Sequence, residues 1–121
     1  MTLRILIADD DPSMRSALGE MLRSEPGFEV IGVAADPEGA IDLAGTHQPD
    51  VAILDVKMPG GGGVRAAEGI RGASPGTRIL ALSAWDDRET IRRMERAGAA
   101  GYLVKGSAPD DLFAVIESVT R

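Results

Sequence analysis

The chain has 121 residues, 44% of them hydrophobic, and a net charge of −6 from 13 Lys+Arg against 19 Asp+Glu. That length fits one domain, residues 1–121, burying roughly two thirds of its unfolded surface, and the acidic balance disfavours nonspecific attraction to nucleic acid phosphates or anionic lipid. The absence of cysteine excludes disulfides, thiolate catalysis and Cys-ligated zinc, and the single histidine, His47, excludes a multi-histidine metal site. Met1 leads straight into a strand-like run with no signal-type segment, and no apolar run reaches about 18 residues. A soluble cytoplasmic protein is expected.

Apolar runs of four to seven residues alternate with helical patterns, the signature of repeated βα units. The first strand is Leu3–Ala8, and Asp11-Pro12 reads as N-cap and first helical position of a helix with Met14, Leu18, Met21 and Leu22 on one face. Glu25-Pro26-Gly27 turns the chain into a second strand, Phe28–Ala34. Asp36-Pro37 repeats the cap signal before a helix carrying Ala40, Leu43 and Ala44 inward, which His47-Gln48-Pro49 ends. The third strand, Val51–Leu54, is continuously apolar, as a strand covered on both faces should be.

The glycine run Gly60–Gly63 follows, then a weak helix from about Val64 to Arg71. No Gly-Lys-Ser/Thr follows the run and no helix cap is evident, so a mobile, partner-facing loop is expected in preference to a phosphate-binding one. Ser74-Pro75-Gly76 is a turn and Thr77–Leu82 the fourth strand. The fourth helix is expected to begin at Asp86 or Asp87, with Glu89 placed for a capping box, and to run through Ile91, Met94 and Ala97 to a Gly98 stop. Tyr102–Val104 is the fifth strand, and a last helix from Pro109 carries Leu112, Val115, Ile116 and Val119 at i, i+3, i+4, i+7. The predicted architecture is α/β: a flavodoxin-like (βα)5 sandwich with right-handed crossovers and a parallel sheet in the order 2-1-3-4-5.

Four of these strands end in a polar residue suited to phosphoryl chemistry: Asp9-Asp10, Asp55, Ser83 and Lys105. Each has a bland reading by itself. One of Asp9, Asp10 and Asp11 caps a helix, Asp55 could begin a turn, Ser83 could cap the next helix, and Lys105 could snorkel into solvent. Those readings do not explain why all four positions fall at the carboxyl edge of one sheet, where open α/β sheets bind ligands. There Asp9, Asp10 and Asp55 crowd together, and two like charges about 4 Å apart repel by roughly 4 kcal/mol at an effective dielectric near 20. A divalent cation resolves the conflict, and an all-oxygen donor set favours Mg²⁺ or Mn²⁺. Lys105 and Ser83 can serve further phosphoryl oxygens, which leaves one carboxylate as nucleophile.

Together these residues resemble the receiver (phosphoacceptor) domain of two-component response regulators over essentially the whole chain. The resemblance rests on Asp9-Asp10, the run Asp55-Val56-Lys57-Met58-Pro59 closed by Gly63, Ser83-Ala84, and Lys105 after Tyr102-Leu103-Val104, all in the family's order. It implies that Asp55 accepts a phosphoryl group from a phosphohistidine on a sensor histidine kinase. It further implies that Asp10, Asp55 and the Lys57 backbone carbonyl bind Mg²⁺ directly, with Asp9 acting through metal-bound water. Ser83 would rotate onto the phosphoryl group, Tyr102 would follow it inward as part of the switch, and Lys105 would pair with the phosphoryl oxygens. Such a domain is no enzyme toward other substrates, yet it catalyses its own phosphorylation and dephosphorylation. The implied partners are the kinase and an effector, in cis or on another protein, with no nucleic acid contact by this chain. Gly106, followed by Ser107-Ala108-Pro109, resembles the branch with a helix-turn-helix DNA-binding output, so control of transcription is expected.

Lys57 and Trp85, each two residues past a site residue, are expected to flank the site and slow self-dephosphorylation. Arg88, Arg92, Arg93 and Arg96 read as a solvated helix face, with a charged homodimer contact as the other option. Rival functions are a degenerate receiver acting as a protein-binding module, a regulator of an effector enzyme that binds no DNA, a flavodoxin-like cofactor binder and an Asp55-dependent phosphatase. Three carboxylates repel an anionic cofactor, and a phosphatase would want a general acid where Lys57 stands. The kinase, the signal, the output and the oligomeric state are left open.

Overall fold

A computed structural model describes residues 2–84 and 88–120. Among these, strands and helices alternate in the order β1 (Leu3–Ala8), α1 (Pro12–Arg23), β2 (Phe28–Ala34), α2 (Pro37–His47), β3 (Val51–Asp55), α3 (Gly62–Ala73), β4 (Arg78–Ser83), α4 (Arg88–Arg96), β5 (Ala99–Val104) and α5 (Pro109–Val119). Every strand pairing is parallel and the order is β2-β1-β3-β4-β5, the flavodoxin-like sheet expected from the sequence.

Alternation along the strands divides the core. Leu6, Ala8, Ala52, Leu54, Ile79 and Ala81 face α2, α3 and α4, meeting Ala40, Ala44, Ala66, Ala67, Ile70 and Met94. Ile5, Ile7, Val51, Ile53, Leu80, Leu82 and Leu103 face α1 and α5, meeting Leu18, Leu22, Leu112 and Ile116. Covered on both faces, β3 is buried at every position, which explains its unbroken apolar run.

The Asp-Pro starts behave as expected. Asp11 accepts a hydrogen bond from the Ser13 amide at 2.9 Å and Asp36 one from the Gly39 amide at 2.8 Å, each with proline at the first helical position. Gly98 ends α4 with a φ of 114°, again as expected. The expected α4 cap at Asp86 or Asp87 and the expected flanking role of Trp85 lie outside the described residues.

The glycine run departs from the expectation of an unpinned loop. Gly62 and Gly63 are buried and form the first turn of α3, and Gly61 supplies an N-cap with no side chain. A Cβ on Gly62 would stand 2.8 Å from the Val56 carbonyl oxygen at a φ of 68°. The helix presses so closely on the end of β3 that no larger residue fits. Four glycines leave α3 weak in intrinsic propensity, by about 1 kcal/mol each against alanine, so its existence rests on burying Ala66, Ala67 and Ile70. β5 also begins earlier than expected, because Ala99 and Gly101 pair with Ile79 and Leu80 of β4.

At the amino edge of the sheet neutral hydrogen bonds stand beside charged ones, in which Arg4 donates from Nη1 to the His47 carbonyl and from its amide to Asp50 Oδ2. Thr77 Oγ1 donates to the Pro49 carbonyl at 2.7 Å and lies 2.6 Å from Ser74 Oγ, which reaches Gln48 Oε1 at 3.2 Å. Gln48, with a left-handed φ of 48°, donates from Nε2 to the Gly45 and Ala73 carbonyls at 2.9 Å each. The α2–β3 and α3–β4 connections are thereby tied to one another. Thr77→Val keeps the shape and leaves buried partners unmet, so urea denaturation should show a loss of about 1–3 kcal/mol. An unchanged midpoint would mean that this network contributes nothing.

Candidate functional site: an acidic pocket at the carboxyl edge of the sheet

Residues from four strand ends converge. Asp9 and Asp10 follow β1, Asp55 ends β3, Ser83 ends β4 and Lys105 follows β5. Asp9 is fully buried, Asp55 and Ser83 are nearly so, and Asp10 is exposed. Asp10, Asp55, Val56, Lys57, Ser83, Ala84 and Lys105 line an open cavity of about 230 Å³.

Local bonds set the carboxylates. Asp9 Oδ1 accepts from the Asp11 amide at 2.9 Å, which fixes its rotamer, and Asp55 Oδ1 accepts from the Lys57 amide at 3.1 Å. The same turn directs the Lys57 side chain outward, where it is exposed. Lys105 Nζ reaches Asp9 Oδ2 at 3.1 Å and Asp55 Oδ2 at 3.3 Å, a cation bridging two buried anions. The Lys105 amide donates to the Ser83 carbonyl at 2.8 Å, tying the ends of β4 and β5 together.

One cation in ion-pair contact among the described residues, Lys105, against three carboxylates leaves the charge unbalanced. Ligand oxygens of Asp9, Asp10 and Asp55 lie within 4.8 Å of one another. Asp9 Oδ2 is buried and meets the Lys105 charge at a separation short enough for ion pairing, but in a direction that falls short of a hydrogen bond. That oxygen still has accepting capacity, as expected where a hard cation or its water belongs. Burial pushes the Asp55 carboxyl up from 3.8 to about 6; the Asp9 charge adds to this, while the Lys57 amide and Lys105 oppose it. For Lys105 burial works downward, but close contact with Asp9 and the charges of Asp55 and Asp9 outweigh it, so the ammonium is held above its usual range. Near neutral pH the site therefore presents an ionised Asp55 beside a charged Lys105.

Tyr102 does not join this cluster. It is 39% exposed on β5 and lines a separate cavity of about 330 Å³ with Ser107, Asp111, Leu112 and Val115. The arginines of α4, Arg88, Arg92, Arg93 and Arg96, are exposed, as a solvated face requires. Sequence reasoning passed over Arg15, a half-buried residue of α1 whose Nη1 donates to the Asp9 carbonyl at 2.8 Å. Its placement one turn after Asp11-Pro12, at the start of α1, is the signal that could have found it.

Comparison with known proteins decides the family. The model of the response regulator receiver domain matches residues 5–117. The chain belongs to the response regulator receiver domain family. This receiver domain is 43% identical over 114 residues to the transcriptional regulatory protein PdtaR of Mycobacterium tuberculosis, a match covering 94% of the chain and 55% of PdtaR. It thus spans about half the length of that curated relative. Among solved structures it is similar to the signal receiver domain of the response regulator NarL from Mycobacterium tuberculosis, with a TM-score of 0.89 at 34% identity over 98% of this chain and 96% of that one. It is also similar to a chain of the CheX–CheY–BeF3–Mg²⁺ complex from Borrelia burgdorferi, with a TM-score of 0.89 at 26% identity over 98% and 90%. Among its described residues no helix is long and apolar enough to cross a membrane.

Proposed function

We propose that this receiver domain is a Mg²⁺-dependent phosphoacceptor switch in which Asp55 takes a phosphoryl group from a phosphohistidine of a sensor histidine kinase. The observation that carries the reading is the meeting of three carboxylates within 4.8 Å, with Lys105 bridging the two buried ones at the mouth of an open cavity. An Asp55 oxygen attacks phosphorus, the P–N bond of the donor breaks, and the leaving imidazole carries the electron pair and takes up a proton. Lys105, already 3.3 Å from Asp55, is placed to neutralise a transferred phosphoryl oxygen, and Ser83 lines the same cavity as a hydroxyl donor.

The donor set fits a hard divalent cation. Asp10, Asp55 and the Lys57 carbonyl would hold it, Asp9 would act through its water, and it would supply charge neutralisation for the transferring group. The CheY complex with BeF3 and Mg²⁺ supports this reading by similarity. Self-catalysed dephosphorylation uses the same residues, with Lys57 at the cavity mouth limiting the approach of water.

The change of charge at Asp55 biases Ser83 and then Tyr102, altering the face built by α4, β5 and α5. The output is control of transcription through an effector, in cis or on a partner protein, by likeness to PdtaR. The cytoplasm is the compartment this assigns.

Intact mass after incubation with acetyl phosphate tests the reading. One phosphoryl group should add to the parent only with Mg²⁺ and never to Asp55→Asn. Addition to the Asn variant, or no addition to the parent with Mg²⁺ present, overturns it.

A further inference from the structure

Between the helix that begins at Pro12 and the acidic pocket there is one side-chain bridge that the proposed chemistry does not use. Arg15 Nη1 donates to the backbone carbonyl of Asp9 at 2.8 Å, and Arg15 is absent from the lining of the site cavity. The guanidinium therefore grips the main chain behind the carboxylates and does not face a bound ligand. Asp9 is held at three further points: its amide donates to the Ala34 carbonyl at 3.1 Å, its Oδ1 accepts from Asp11, and its Oδ2 faces Lys105.

Asp10 is held differently. It is exposed, and its carboxylate makes no hydrogen bond or ion pair among the described residues. What places it is the Asp9–Asp10 peptide, and the carbonyl of that peptide is the atom Arg15 holds. We infer that Arg15 is a positioning residue for the cation site: by fixing the Asp9–Asp10 peptide it holds the Asp10 carboxylate where a divalent cation can use it together with Asp55.

This rests on the proposed phosphoacceptor reading, and two physical effects of Arg15 pull in opposite directions. Its positive charge, close behind the carboxylates, repels an incoming cation, whereas its hydrogen bond preorganises the donors. The protein screens a charge lying behind the backbone less than water does, but without Arg15 the Asp9–Asp10 peptide is tied only through the Asp9 amide and the Asp11 amide, and the Asp10 carboxylate is less firmly placed in the site. Loss of partners that orient metal ligands typically costs 10–100-fold in metal affinity, which makes preorganisation the larger effect.

The test is Mg²⁺ affinity of the unphosphorylated protein by isothermal titration calorimetry, for the parent, Arg15→Met and Arg15→Lys, with circular dichroism melts beside them. Methionine keeps the apolar stem while losing charge and donor; lysine keeps both. Arg15→Met should weaken Mg²⁺ binding about tenfold while remaining folded, and Arg15→Lys should recover most of the affinity. The phosphorylation rate of the Met variant at saturating Mg²⁺ should match that of the parent, because the residue acts on cation placement and touches no reacting atom. Equal or tighter Mg²⁺ binding by the Met variant would overturn the inference while leaving the phosphoacceptor reading intact. A parent that binds no Mg²⁺ would overturn both.

Discussion

Asp55→Asn is expected to melt at a higher temperature than the parent at pH 7 without divalent cations. The folded chain holds the Asp55 carboxyl at about 6, against 3.8 for an unperturbed group, so folding disfavours its ionised form. A shift of that size corresponds to about 3 kcal/mol when the group is fully ionised in both states. The sign follows from proton binding. Below pH 3.8 the carboxyl is protonated in folded and unfolded chains alike and costs nothing. As pH rises toward 6 the unfolded chain ionises first, and the parent loses stability until the folded carboxyl ionises too. Asparagine removes that slope along with one of three crowded anions, though it gives up the Lys105 contact at 3.3 Å, so a net gain of about 1–3 kcal/mol is expected. Mg²⁺ should raise the melting temperature of the parent and leave the variant nearly unmoved. Urea denaturation between pH 4 and pH 7, with equal slopes for both proteins, would refute the electrostatic account of this site.

Gly63→Ala carries the second large effect, with the opposite sign. Alanine is the better helix former by about 1 kcal/mol, which taken alone predicts stabilisation. A Cβ there, however, would stand 2.7 Å from the Asp55 carbonyl oxygen, 3.0 Å from Val56 Cα and 3.2 Å from Met94 Cε. Two of those three neighbours are backbone, and the Asp55 backbone cannot retreat without carrying its carboxylate away from Lys105. Overpacking against fixed atoms typically costs 1–3 kcal/mol, so a net loss of about 2 kcal/mol is expected, together with slower phosphorylation by acetyl phosphate. Gly72→Ala in the same helix is the control. Its Cβ would meet nothing within 4 Å, and a gain of about 0.5–1 kcal/mol is expected. If both variants shift the urea midpoint in the same direction, the close packing of α3 on β3 is not what sets the requirement at position 63.

The parts of this molecule that were legible in its sequence are those whose physics is local. Asp11-Pro12 and Asp36-Pro37 announce their helices because a carboxylate cap and a proline at the first helical position act within four residues. The strands leading to Asp9, Asp55 and Ser83 were readable because central strands covered on both faces are largely apolar and the polar residue at each end breaks the run, whereas the edge strand before Lys105 is half-exposed and was marked only by Tyr102-Leu103-Val104. The start of α3 was not readable, since Gly61 caps it without a side chain and contact with the end of β3 determines where it begins. Nor was the start of β5: Ala99, Ala100 and Gly101 have little strand preference, and their conformation comes from pairing with β4. Arg15 escaped for a related reason. Its partner is a backbone carbonyl, an atom every residue possesses and no sequence pattern marks.

The two ends of the sheet carry charge differently, with Arg4 and Asp50, among the described residues, bonded only to backbone groups at the amino edge. At the amino edge Gln48, Ser74, Thr77 and Pro49 close a neutral ring of bonds that no change of pH, cation or phosphoryl group addresses. At the carboxyl edge a single ammonium spans two anions, and every expected event there alters the charge it must balance. Such a sheet behaves as a cantilever, clamped at one end and loaded at the other. A displacement begun at Asp55 is expected to pass sideways to the neighbouring strand ends and helices while the registers of the five strands hold.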